Sequence, residues 1–220
     1  DICLLFHNDL GKTVNFEVPK LPQGIDYDIC APKAFLNLEY KNSILSFPHG
    51  TEYKLIVLPN DAFMSLDVLR HIYKLVKSGA VIAGPPPVGL SGLVEYINSK
   101  EEFTKLVSQI WGDLDGILKT SAKVGCGKIY WGIPIEKILK DNQIESDFSY
   151  HSSLPEADVC YAHRKSEDAD IYFISNVGQK KTLITGQFRV VGKQPEFWDA
   201  VTGNRWDARV FNIADNQTSV

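Results

Sequence analysis

The stretch from Tyr53 to Ala83 constrains the fold more than any other part of the chain. Leu55-Ile56-Val57-Leu58 is a short, continuous apolar run that Pro59-Asn60-Asp61 breaks, which reads as a strand buried on both faces. A helix follows. Ser65 stands as its N-cap, and Asp67 lies in the first turn, where a carboxylate meets the positive end of the helix dipole. Leu69, Ile72, Tyr73 and Val76 recur at helical spacing and form one apolar stripe. Lys74 and Lys77 sit toward the C-terminal end, and Gly79 suits a left-handed cap. Val81-Ile82-Ala83 is the next strand. Strands with no polar face, joined through a helix, belong in a parallel sheet covered by helices. Ile2-Cys3-Leu4-Leu5-Phe6 is an apolar run of the same kind. Parallel strands carrying Leu4, Ile56 and Ile82 are therefore expected in one sheet.

The neighbouring segments follow that pattern less sharply. Tyr27 to Cys30 reads as a short strand and Lys33 to Leu38 as a short helix. Tyr40 with Ile44 to Phe47 suggests a hairpin turning near Lys41-Asn42. Gly84-Pro85-Pro86-Pro87 ends regular structure, because proline lacks an amide hydrogen and fixes φ. Ser99 with Glu102 has the spacing of a capping box and predicts a helix opening there. Its apolar face is Phe103, Leu106, Val107, Ile110 and Trp111. Lys128 to Trp131 reads as a strand and Pro134 to Leu139 as a short helix.

After Phe148 the helical grammar stops. Val159 to Ala162, Ile171 to Ile174, Thr182 to Val190, Phe197-Trp198 and Ala208 to Phe211 read as strands, with a turn at Val201 to Asn204. This is antiparallel grammar, and about five strands in some sixty residues make only part of a sandwich. The expected division is an α/β domain over residues 1–150 and a β-rich segment over 151–220.

Composition narrows the function. With 44% hydrophobic and 23% charged residues the chain is globular rather than disordered. A net charge of -4 and only short basic clusters argue against a general nucleic-acid binder. No apolar run is long enough to span a bilayer. The four cysteines are far apart and form no CxxC pair, so neither zinc nor any other metal is expected. Cys3 and Cys160 lie in apolar runs and read as buried thiols. If all four cysteines were bonded, three pairings would be open.

Motifs for cofactor or nucleophile chemistry are incomplete. The glycine patterns that cradle dinucleotides and phosphates are absent, so no cofactor is expected. Gly89-Leu90-Ser91-Gly92-Leu93 approaches a nucleophile elbow but carries leucine where the last glycine belongs. Cys126, between Gly125 and Gly127, precedes a strand instead of sitting on a strand-to-helix elbow. His7, Asn8 and Asp9 follow the first strand, and Asn60 and Asp61 follow a later one. Carboxyl ends of parallel strands are where open sheets bind ligands, so these five residues are candidates for a polar-ligand crevice. The same residue types also favour turns and helix caps. His163-Arg164, Glu167, Asp168 and Asp170 read as a solvated charged turn. Trp198 and Trp206 flank the last turn and suit a core, a sugar-stacking platform or a domain interface.

Two blocks of residues then carry a resemblance. One is Leu55 to Pro59, the helix after Ser65, and Gly79 to Pro85. The other runs from Asp170-Ile171-Tyr172-Phe173-Ile174-Ser175-Asn176 through Phe188-Arg189-Val190, Gly192 to Glu196, Trp198-Asp199 and Thr202-Gly203. Together they resemble the C-terminal half of large bacterial α-L-rhamnosidase-like glycoside hydrolases. The resemblance implies a flavodoxin-like, class I amidotransferase-like α/β sheet, with Gly84 to Pro87 standing where a working amidotransferase carries its nucleophile. It implies a non-catalytic scaffolding role, no catalytic residue in the chain, and a partner in a catalytic barrel of the same polypeptide or in a homo-oligomer. It further implies plant polysaccharide as the parent enzyme's substrate, and a secreted or periplasmic location. A carbohydrate-binding module and an independent hydrolase are the alternatives.

Overall fold

A computed structural model describes residues 1–6, 20–60, 63–91 and 96–220, with the side chains of 96–98 outside the description. The chain divides into two units. The first holds residues 1–21 and 27–144; the second holds 22–26 and 145–220. The division thus falls slightly before residue 151, and a short piece of the N-terminal region joins the second unit. Gly24 accounts for this: its carbonyl accepts the Asp147 amide at 2.8 Å and the Tyr161 hydroxyl at 3.0 Å.

The first unit is built on a six-stranded sheet. In spatial order its strands are Ser121–Val124, Gly127–Tyr130, Val81–Ala83, Leu55–Val57, Ile2–Leu5 and Tyr27–Cys30. Five are parallel, and Ser121–Val124 is an antiparallel edge. Cys3 lies opposite Ile56, and Ile56 opposite Ile82, so the three runs singled out by their apolar character do lie parallel in one sheet. Numbered by chain position, the five parallel strands are arranged 2-1-3-4-5.

Helix Leu66–Ser78 presents Leu69, Ile72, Leu75 and Val76 to the core, and Ser65 caps it by accepting the Val68 amide at 3.4 Å. Ser65→Ala is expected to cost about 0.5–2 kcal/mol, because that amide then loses its partner. A urea titration checks this, and an unchanged midpoint would mean the cap is not formed in solution.

The second long helix spans Tyr96–Trp111, so Ser99 lies inside it and does not cap it. Glu102 instead grips Arg70 of the first helix through two bonds of 2.8 Å. That fork consumes the carboxylate a capping box would need. Trp111 is buried at the helix end, and its indole N–H donates to the Gly84 carbonyl at 3.0 Å.

Gly125 and Gly127 flank Cys126 for a steric reason. A Cβ on Gly127 would lie 2.2 Å from the Val76 carbonyl and 2.3 Å from that of Ala80. The glycines let this hairpin pass close to the helix end, where the Cys126 amide donates to Lys77 O.

The second unit is antiparallel. Phe148–Ser152, Ile184–Phe188, Gln217–Ser219 and Asn212–Ala214 form one sheet in that spatial order. Val159–Lys165 pairs with Asp170–Asn176 in a hairpin, and Glu196–Trp198 pairs with Arg205–Asp207 in another. The core is aromatic. Phe148 meets Tyr161 and Phe188 at ring distances of 5.1 Å, and Tyr172 meets Phe188 at 4.9 Å. Ala208 to Phe211 is not a strand; the strand lies just before it, and a further hairpin follows, turning at Asp215-Asn216 with both residues at positive φ.

Candidate functional site

Hydrogen bonding in the parallel sheet continues one residue past the carboxyl ends of its strands. The Leu58 amide donates to Ala83 O and the Gly84 amide to Tyr130 O, each at 2.8 Å. Above those ends lies a crevice of about 600 Å³. Leu5, Leu58, Gly84, Pro85, Trp131 and Pro134 line it, together with the polar residues Lys20, Asn60 and Glu136. Open parallel sheets bind ligands at this end, where the strand order reverses.

Of the residues expected there, Asn60 lines the crevice and is exposed. His7, Asn8, Asp9 and Asp61 lie outside the described residues. Gly84 carries the turn that leaves the Val81–Ala83 strand end. Its φ is +141°, and a Cβ there would stand 2.7 Å from the Leu58 Cβ. No side chain fits at that point, and the next three residues are prolines without amide donors.

The second unit holds a buried polar cluster that the reading of residues 163–170 as a loop missed. His163 and Asp170 lie on paired strands, not in the turn. His163 Nδ1 faces Asp147 Oδ2 at 2.8 Å, and Nε2 faces Asp170 Oδ1 at 3.0 Å. Both ring nitrogens meet carboxyl oxygens, which only accept while ionised, so the arrangement favours the imidazolium, with both nitrogens donating. Asp147, only 4% exposed, also takes the Tyr172 hydroxyl at 3.1 Å and Arg189 at 3.2 Å. Asp170 takes Lys193 Nζ at 2.7 Å. The His163 ring stacks on Tyr172 at 4.0 Å and 11°.

Burial acts to lower the His163 pKa, but the hydrogen bonds and charges of Asp147 and Asp170 outweigh it and raise it above its ordinary 6.5. Burial likewise acts to raise both carboxyls. For Asp147 the bonds and charge of His163, with Arg189 and Tyr172, win; for Asp170 Lys193 and His163 do, and both end below 3.8. A glycosidase general acid needs the opposite shift, a carboxyl raised toward neutrality. This pair is built to stay ionised and to clamp strands together. Alternation along the strands was the available signal: Tyr161, His163, Asp170 and Tyr172 share the inward face.

Trp198 and Trp206 are 69% and 54% exposed, so neither forms the core. Nor do they make one platform. Trp206 pairs with Phe197 across the hairpin at 5.9 Å, whereas Trp198 lies under Arg205 and donates to Glu196. All four cysteines are free; Cys3 and Cys30 are buried, while Cys126 and Cys160 are exposed, which corrects the buried reading of Cys160. Among the described residues no helix is long and apolar enough to cross a membrane, and no group of three or more His, Cys, Asp or Glu is placed to hold a metal.

Comparison with known proteins adds three findings. A protein of Formosa agariphila that carries a provisional beta-glucuronidase name is 32% identical over 219 residues, which is 99% of this chain and 18% of that protein. The structure of a rhamnosidase from Novosphingobium sp. PP1Y matches 100% of this chain and 21% of its own, with a TM-score of 0.86 and 25% identity. Gan42B, a GH42 beta-galactosidase, matches 94% of this chain and 38% of its own at a TM-score of 0.52; at 12% identity it shares the fold alone. The chain thus spans about a fifth of the length of the first two relatives. The family model Glyco_hydro_106, alpha-L-rhamnosidase, matches residues 1–211, and the chain belongs to that family.

Proposed function

We propose that this chain is a non-catalytic accessory region of an α-L-rhamnosidase-like glycoside hydrolase, acting as a scaffold for a catalytic domain on the same polypeptide. The observation that carries this is the end of the Val81–Ala83 strand. A flavodoxin-like sheet with strand order 2-1-3-4-5 presents its chemistry at the carboxyl ends of its strands. A class I amidotransferase-like domain would carry a nucleophile on that turn. Here the turn is Gly84, whose amide and carbonyl are bonded to Tyr130 and Trp111, followed by three prolines. Asp147 and Asp170 of the second unit support the same reading, because their pKa shifts oppose proton donation.

The test uses the complete natural polypeptide. Glu136→Gln and Asp168→Asn should leave kcat/KM for an aryl α-L-rhamnoside within about threefold, whereas a general acid or base contributes about 10²–10⁴-fold. A loss of that size in either variant would sink the scaffold reading. The purified 220-residue chain should release no reducing sugar.

The crevice favours a second reading, a bound sugar. Half-buried Trp131 offers an apolar ring, and Lys20, Asn60 and Glu136 offer polar contacts. Calorimetric titration with L-rhamnose, repeated on Trp131→Ala, separates a binding module from a scaffold.

A further inference from the structure

The hairpin of Val159–Lys165 and Asp170–Asn176 has an inner face of packed aromatic and charged side chains and an outer face that is largely apolar. Its inner face carries Tyr161, His163 and Tyr172. Its outer face carries Cys160, Ala162, Ile171 and Phe173, with Ala162 opposite Phe173 and Arg164 opposite Ile171. Ile171 and Phe173 each leave 58% of their surface exposed. An antiparallel layer that ends at water alternates apolar inside with polar outside. Here the inner side is packed and the outer side is apolar as well, and exposed apolar sheet surface marks an interaction site.

We propose that this outer face is a docking surface for another part of the same polypeptide, which lays an apolar surface of its own over Phe173 and Ile171. This rests on the accessory-region reading. The occupant follows from length. In the Novosphingobium rhamnosidase the same fold is 21% of one continuous chain, so four-fifths of that polypeptide is tethered to it. A tethered partner has a high effective concentration and needs only a modest apolar contact to stay docked. The face supports an apolar partner, because apart from Arg164 at its edge the outward side chains from Cys160 to Phe173 on these strands are small or apolar.

Cys160 lies on this face and reports on it directly. In the complete natural polypeptide, alkylation of Cys160, followed by peptide mass spectrometry, should be on the order of 100-fold slower than in urea, since label then enters only through local opening. The protection should not change on dilution, because the contact is intramolecular. Phe173→Asp should raise Cys160 labelling in the native protein. Free labelling of Cys160 in the unmodified protein overturns the proposal. Protection that vanishes on dilution, with a matching change in size from dimer to monomer, overturns it too, in favour of a second copy. Retained protection alongside loss of rhamnoside turnover in Glu136→Gln would keep the docking face and sink the accessory reading, so the two fail separately.

Discussion

Asp147→Ala is expected to destabilise the second unit by about 3–5 kcal/mol, the usual cost of removing one partner from a buried ion pair. The substitution leaves the His163 imidazolium and the Arg189 guanidinium without the carboxylate that both face, and it strands the Tyr172 hydroxyl. Stability should also depend on pH in both directions. The His163 pKa is higher folded than unfolded, so its contribution is full below 6.5 and is lost as pH rises through the folded value. The Asp147 and Asp170 values are lower folded than unfolded, so theirs is full above 3.8 and is lost as pH falls through the folded values. Urea titrations across pH should give a plateau between these limits and a decline on either side. His163→Gln should remove the alkaline decline. A wild-type profile that stays flat above neutrality would show that the ring is not held as an imidazolium.

Trp111→Ala is expected to cost the first unit about 3–5 kcal/mol through lost burial and the cavity left behind. Trp111 is 2% exposed, and its indole fixes the carbonyl of Gly84, the residue that turns the chain away from the crevice. Trp111→Phe keeps most of the volume and removes the donor, so the hydrogen bond alone should account for about 1 kcal/mol. Guanidinium titrations of both variants separate the two contributions. A cost under about 1 kcal/mol for the alanine variant would mean the helix end is not packed as described.

The first sheet was legible because its signals were local and strong. Continuous apolar runs, one capped helix and one glycine stop fixed the strands carrying Leu4, Ile56 and Ile82 and the helix between the latter two. The start of the Tyr96–Trp111 helix was misread because Glu102 has two plausible partners in sequence, and the winner, Arg70, is 32 residues away. The final hairpin was missed because Asn212–Ala214 and Gln217–Ser219 carry little apolar signal; its turn depends on the left-handed tolerance of Asp215 and Asn216. The candidate crevice was legible only as a location. Asn60 reaches it, but Lys20, Trp131 and Glu136 come from separate segments that no local pattern links. The charge cluster was hidden for a similar reason. Its Asp147 precedes a strand, and its other members come from a hairpin and two later residues, Arg189 and Lys193.

The membership of residues 22–26 in the second unit sets an order of events during synthesis. Ser146 donates to the Gln23 carbonyl across 123 residues, and the Asp147 amide closes on Gly24 beside it. Gly24 has φ +79° and no room for a Cβ, which would fall 1.7 Å from the Phe148 carbonyl oxygen. At about 5–20 residues per second a ribosome needs roughly 6–25 s to reach those partners. During that interval Gln23 and Gly24 wait for Ser146 and Asp147 while the first unit's own residues emerge. The second unit cannot be excised as one continuous segment: a cut at residue 145 would leave its hairpin and sheet intact but remove the strand of chain on which Asp147 and Tyr161 close.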